Sequence, residues 1–378
     1  PTTCHSALLL DEVATEDAHV VKLLRGAGAI ILGKVATHEF AMGGPSFDLP
    51  FPPARNPWSR DHNPGGSSSG SGAGVAAELF PLALGTDTLG SVRHPAAACG
   101  IVGLKPTYGL VSRGGVFPLA QTLDHVGPMA RTVKDAALLL DVIAGYDPLD
   151  PGSSEKRGSI SYTRNLDDDI RSVRIGFIRH FHESDMICDP EVGDALENAA
   201  KVLVAEGASV ESVTLPPLSD FASAAGVIIH SEAWSVHAKW MRERPQSYGQ
   251  LSRKRFLTGA FFPAEALVAA QRVRLRMISM VEEALSQFDV LLCANLMDPP
   301  PRIDDEAELA YKHPRQARAP FNLTGHPAIS MMSGLSQSGL PLSLQFVGRY
   351  FDEARLLGVA AAFERTTSWH TLRPPLIS

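Results

Sequence analysis

Two serine-bearing, glycine-rich segments lie close together in this chain. They are Gly65-Gly66-Ser67-Ser68-Ser69-Gly70-Ser71-Gly72 and Gly85-Thr86-Asp87-Thr88-Leu89-Gly90-Ser91-Val92-Arg93, and the apolar run Val75-Ala76-Ala77-Glu78-Leu79 falls between them. Glycine at this density either leaves a chain without fixed structure or lets the backbone turn tightly between buried elements. Taken alone, the first segment reads as a flexible linker, a phosphate-cradling loop or a catalytic turn. A phosphate loop ends in Gly-Lys-Ser/Thr, whereas this one runs into Val75-Ala76-Ala77, which sets that reading aside. The second segment tips the balance from linker to catalytic turn. It places Ser91 at the tip of a tight turn, where successive backbone N–H groups converge on one point and can hold an oxyanion. Asp87 and Arg93 flank the turn and either pair to hold its shape or form an ordinary surface pair.

The flanking sequence supplies buried elements for such turns. Residues 16–32 read as a helix with Val20, Val21, Leu23 and Leu24 facing inward, followed by a glycine turn into a buried strand. Cys99 to Thr107 reads as a strand ending at Pro106, Ala136 to Ala144 as a helix, and Asp147 to Ser161 as a surface loop. Arg174 to Ile178, Val210 to Leu215, Asp289 to Cys293 and Gly339 to Gly348 read as strands. Helices are expected over Asp189 to Glu206, with Pro190 at the first helical position, over Ala264 to Gln287, and after the last strand through Phe363. Arg272, Arg274 and Arg276 on the long helix read as a solvated face. Strands alternating with helices predict an α/β fold with a large mixed central sheet covered by helices on both faces.

Composition narrows the function classes. No apolar run approaches the roughly 20 residues of a spanning helix, and the start at Pro1 has no signal-peptide pattern, so a cytoplasmic chain without a membrane is expected. The net charge of −7, with no basic block, argues against a nucleic-acid partner. Four scattered cysteines and 13 dispersed histidines show no ligand spacing, so neither metal, disulfide nor cofactor is expected.

The paired segments resemble the signature of the amidase signature family, serine hydrolases that cleave amide bonds. The resemblance extends through Leu32-Gly33-Lys34, Glu39-Phe40-Ala41-Met42-Gly43, Asn63-Pro64-Gly65, Cys99 to Thr107, Leu123-Asp124-His125-Val126-Gly127-Pro128 and Asn322-Leu323-Thr324-Gly325-His326-Pro327-Ala328. It covers essentially the whole chain and implies the amidase signature fold as one domain over 1–378. The signature core would span about 56–135, and a variable region forming the substrate pocket or lid about 215–320. The resemblance implies Ser91 as nucleophile, Ser67 on a cis peptide as proton relay, and the N–H groups of Thr88, Leu89, Gly90 and Ser91 as the oxyanion hole. The family's base, a lysine in an apolar-Lys-Asp segment, would precede Thr2-Thr3 and so fall ahead of Pro1, which implies that an N-terminal portion is missing. Lys34 matches a different lysine of the family, and Lys105 reads as structural. Leu89 stands where the family has glycine, and so does Ser69.

The variable stretches, residues 45–56, 256–264 and 293–305, are largely apolar. Phe47, Met42, Leu89, Phe261, Leu296 and Met297 are therefore expected to bind substrate, a hydrophobic amide or, by the same chemistry, a carbamate (urethane) or ester. Two other readings remain: the glutaminase subunit of a tRNA-dependent amidotransferase, and a catalytically silent scaffold or binding protein. An α/β-hydrolase is disfavoured because no serine here sits in a Gly-x-Ser-x-Gly elbow. A homodimer is implied only by analogy with relatives.

Overall fold

Short apolar runs bounded by glycine, proline and polar residues form eight strands in a computed structural model that describes residues 1–156 and 161–375. They are β1 (Leu82–Asp87), β2 (Val102–Lys105), β3 (His125–Ala130), β4 (Arg174–Phe177), β5 (Ser209–Ser212), β6 (Val290–Ala294), β7 (Ala328–Leu335) and β8 (Pro341–Gly348). All join one sheet of order β1-β3-β2-β7-β8-β6-β4-β5. Neighbours pair antiparallel from β1 through to β6, whereas β6, β4 and β5 pair parallel. Successive strand residues point to opposite faces, and every residue of β2, β3, β6 and β8 is buried, so both faces of the central sheet are covered.

The helices are α1 (His19–Gly26), α2 (Ser69–Ala76), α3 (Arg93–Cys99), α4 (Val133–Ile143), α5 (Pro190–Ala205), α6 (Leu218–Glu243), α7 (Gln250–Thr258), α8 (Ala264–Gln287), α9 (Glu306–Lys312), α10 (Ala319–Leu323) and α11 (Glu353–Thr366). Asp189 caps α5 by accepting from the Glu191 N–H, with Pro190 at the first helical position. Of the surface loop expected over Asp147 to Ser161, residues 157–160 lie outside the described residues.

One expectation fails for an identifiable reason. The buried strand after Gly28 does not form: Ile30 is 86% and Leu32 73% exposed, and no strand of the sheet pairs with them. An apolar run without a neighbouring edge has nothing to bury against. The stretch that composition alone reads as a linker is instead packed, because α2 starts inside it at Ser69. Its glycines serve close approach to α3, since a Cβ at Gly72 would fall 2.7 Å from that of Pro95.

Candidate active site

Strand β1 delivers Asp87 at its C-terminal end, and the chain then turns through Thr88-Leu89-Gly90-Ser91 into α3. Gly90 takes φ +114°, a conformation side chains resist. The Asp87 carboxylate clamps the turn. It accepts from the N–H groups of Gly90 (2.7 Å), Val92 (3.2 Å) and Arg93 (3.4 Å), from Arg93 Nε (3.0 Å) and Nη2 (3.1 Å), and from Asn322 Nδ2 (2.8 Å). Arg93 donates onward to Gln345 Oε1 (2.5 Å), Asn322 Oδ1 (2.5 Å) and the Arg318 carbonyl (3.1 Å). Both ions are fully buried, so the pair flanking the turn is a structural clamp rather than a surface contact. Burial pushes the Asp87 carboxyl up, but the Arg93 guanidinium beside it outweighs this and holds it well below the usual carboxylate range.

Among the described residues, the N–H groups of Thr88, Leu89 and Ser91 have no acceptor. The Gly90 N–H, expected as a fourth oxyanion donor, is instead committed to Asp87. Thr88 Oγ1 donates to Asp124 Oδ1 at 2.7 Å, and Asp124 also accepts from the N–H groups of Leu119 and Ala120.

The two serine segments meet here. The Ser68 N–H donates to the Ser91 carbonyl at 3.3 Å, and Ser68 Oγ bonds both backbone groups of Thr86. The Gly66–Ser67 peptide is cis. Ser67 is buried, with its carbonyl accepting from the His38 N–H at 2.9 Å. Neither Ser67 Oγ nor Ser91 Oγ finds a side-chain partner among the described residues. Lys34 is exposed. Lys105 is sealed behind the turn, donating to the Pro106 carbonyl (3.0 Å) and lying 3.2 Å from His125 Nε2. His125 Nδ1 faces the Leu123 and Asp87 carbonyls, so Nε2 accepts from the lysine. Burial, reinforced by Arg93, holds Lys105 well below its ordinary pKa.

No motif flags the groups that surround Ser67. The His38 ring abuts Gly66, where a Cβ would fall 2.1 Å from His38 Cε1. His94 Nδ1 lies 3.1 Å from the Gly66 carbonyl oxygen, and the His94 and His313 rings are 6.0 Å apart. Arg255 Nη1 donates to the Met42 (3.0 Å) and Gly43 (2.8 Å) carbonyls. Burial, then the neighbouring His313, pulls the His38 pKa down to about 3; burial, then Arg255, does the same to His313. These imidazoles are neutral at pH 7, leaving the guanidinium groups of Arg255 and Arg318 as the charges of this wall.

The six residues expected to bind substrate do not form one apolar pocket. Phe47 is 58% and Phe261 78% exposed, and Met297 is sealed in the core. Met42 is buried, while Leu296, bridged to Gln316, and Leu89, on the turn, are half-buried. A cleft of about 400 Å³, lined by Ala41, Thr86, Thr88, Tyr108, Phe117 and Asp124 among others, includes none of the six and meets the turn at Thr88. Among the described residues, no cluster of three or more His, Cys, Asp or Glu side chains could hold a metal ion, and no helix is long and apolar enough to cross a membrane.

Comparison with known proteins bears on this geometry. The family model described as Amidase matches residues 1–357. The chain is 38% identical to a glutamyl-tRNA(Gln) amidotransferase subunit of Methanosarcina barkeri, over all of this chain and 84% of that protein. Among solved structures, the corresponding glutamyl-tRNA(Gln) amidotransferase subunit of Thermotoga maritima superposes with a TM-score of 0.86 at 34% identity, covering 96% of this chain and 79% of that one. A 6-aminohexanoate cyclic dimer hydrolase in complex with its substrate gives 0.89 at 30% identity, covering all of this chain and 83% of that one.

Proposed function

Because this chain belongs to the amidase family, whose members act on C–N bonds, we propose that it hydrolyses an amide through an acyl-enzyme formed on Ser91. The observation that carries the proposal is the Asp87-clamped turn, which presents Ser91 and three unbonded N–H groups beside the Ser67 cis peptide. Ser91 Oγ attacks the carbonyl carbon and gives its proton to Ser67 Oγ, which passes its own to a base. The N–H groups of Thr88, Leu89 and Ser91 hold the oxyanion. Collapse breaks the C–N bond as the proton returns to the leaving nitrogen, and water repeats the sequence to release the acid and free Ser91. Exposed Lys34 and sealed Lys105 are both unsuited to the role of base. The family resemblance gives that role to a different lysine, whose amine desolvation would keep neutral near pH 7.

The exposed Phe47 and Phe261 remove the support for a hydrophobic amide, carbamate or ester. A small polar carboxamide fits the Arg255 and Arg318 wall better. Glutamine is the specific reading favoured by the resemblance to amidotransferase subunits. In it the ammonia released at Ser91 passes to a protein partner, so the partners include protein chains as well as a small molecule.

The test is a fluorophosphonate reaction of the full-length native protein, with the modified peptide sequenced, followed by ammonia release from glutamine with and without co-purifying chains. An adduct on Ser91 together with ammonia release is expected. No adduct and no release from any amide would return the chain to a silent scaffold.

A further inference from the structure

Arg318 immediately precedes α10 and packs against the nucleophile turn, where a Cβ on Gly90 would fall 2.4 Å from its Nε. The side chain is almost wholly buried, at 3% exposure. Its donors are nevertheless poorly used. Nε has no partner among the described residues, and Nη1 makes one long contact, 3.4 Å to Asn295 Oδ1. Nη2 has no hydrogen-bond partner among the described residues either. Among the described residues, no carboxylate pairs with this cation. Asp87, the one that attracts it, is already bonded by Arg93, Asn322 and the turn. Its other neighbours, His94 and His313, are neutral.

A desolvated guanidinium with idle donors is unfavourable, and folds keep one where a ligand completes it. Burial, then Arg93, lowers its pKa only to about 9, so it is charged at neutral pH. The fork of a guanidinium matches a planar pair of oxygens, as in a carboxylate, better than it matches a single carbonyl.

We propose that Arg318 anchors a carboxylate on the acyl portion of the substrate, so that the amide cleaved at Ser91 is the monoamide of a short dicarboxylic acid or an amino-acid side-chain amide. This rests on the reading of Ser91 as nucleophile and adds the group that selects among amides.

The experiment compares kcat/KM of the full-length native protein for glutaramate and glutamine with that for the uncharged valeramide. Both carboxylate-bearing amides are expected to exceed valeramide, and Arg318→Met should lower that preference by about 10²–10³-fold, the loss that follows truncation of one partner of a buried charged contact. Arg318→Lys should recover part of it, since an ammonium keeps the charge without the fork. Glutarate should raise the melting temperature of the unaltered protein and not that of Arg318→Met, while fluorophosphonate labelling of Ser91 in both reports that the turn is intact. A preference that survives Arg318→Met, or no preference in the unaltered protein, overturns the anchor and leaves the hydrolase standing if Ser91 still labels. Failure of Ser91 to label in the unaltered protein overturns the hydrolase reading itself, and the glutarate shift then decides the anchor alone.

Discussion

Replacing Asp87 with alanine strips the serine turn of the carboxylate that organises it. Six hydrogen bonds end on that group, three from backbone N–H groups of the turn, two from Arg93 and one from Asn322. Arg93 would keep Gln345 Oε1, Asn322 Oδ1 and the Arg318 carbonyl but lose the carboxylate it pairs with in a fully buried setting. Breaking a buried pair from one side costs about 3–5 kcal/mol, because the remaining ion is uncompensated. Equilibrium unfolding in urea should show a loss of about 4 kcal/mol, and the rate of Ser91 labelling should fall at least about 100-fold under conditions where the variant is still folded. Adding Arg93→Met should recover about 2 kcal/mol relative to the sum of the single changes, as expected for charges that interact directly. Asp87 is held below its ordinary pKa, so its contribution is present above the usual carboxylate range and disappears only as the pH falls into strong acid. A loss under about 1 kcal/mol with labelling within twofold of the unaltered protein would refute the clamp.

Further outcomes follow from the same geometry. Ser91→Ala should abolish labelling, whereas Ser67→Ala should slow it by about 10²–10⁴-fold with the fold intact, by analogy with loss of a general acid–base group; equal labelling in Ser67→Ala would remove the relay. Lys34→Ala should leave amide hydrolysis within about twofold, as expected of an exposed side chain, and a large loss would identify the base the described residues otherwise lack. Burial lifts the Asp124 carboxyl to about 6 despite its bond from Thr88, so the stability it adds is full below about pH 4 and is lost as the pH rises through about 6. The difference is worth about 3 kcal/mol, and Asp124→Asn should flatten the stability profile over that range; an unchanged slope would show that Asp124 titrates normally. Gly90→Ala forces φ +114° on an L side chain and drives its Cβ into Arg318, so a loss of about 2 kcal/mol or more, together with loss of labelling, is expected in urea and in the probe assay.

The turns and the elements that carry them were legible because their signals are local. Pro190 after Asp189 marks the start of α5, and alternating or continuous apolar runs mark β2, β4, β6 and β8. Helix α6 was not legible: it is 26 residues long but packs on several elements, so its apolar residues follow no single stripe. The strand expected at residues 29–32 had the right residues and no neighbour, which sequence pattern does not encode. At the site, Ser67, Ser91 and Asp87 stand inside one glycine-rich region, whereas Arg318, His313 and Arg255 arrive from distant loops and helices. Nothing local distinguishes Arg318 from the solvated Arg272, and only the packing against Gly90 does so. The apolar content of residues 45–56 and 256–264 pointed to a pocket, but Phe47 and Phe261 ended on the surface.

The contacts of Arg93 also tie the serine turn to parts of the chain made much later. Its partners Arg318, Asn322 and Gln345 lie 225, 229 and 252 residues further along. A ribosome that has released the serine turn must still add these residues before the groups that tie it down exist. Until β8 is laid beside β7, Ser91 belongs to a loop without its braces.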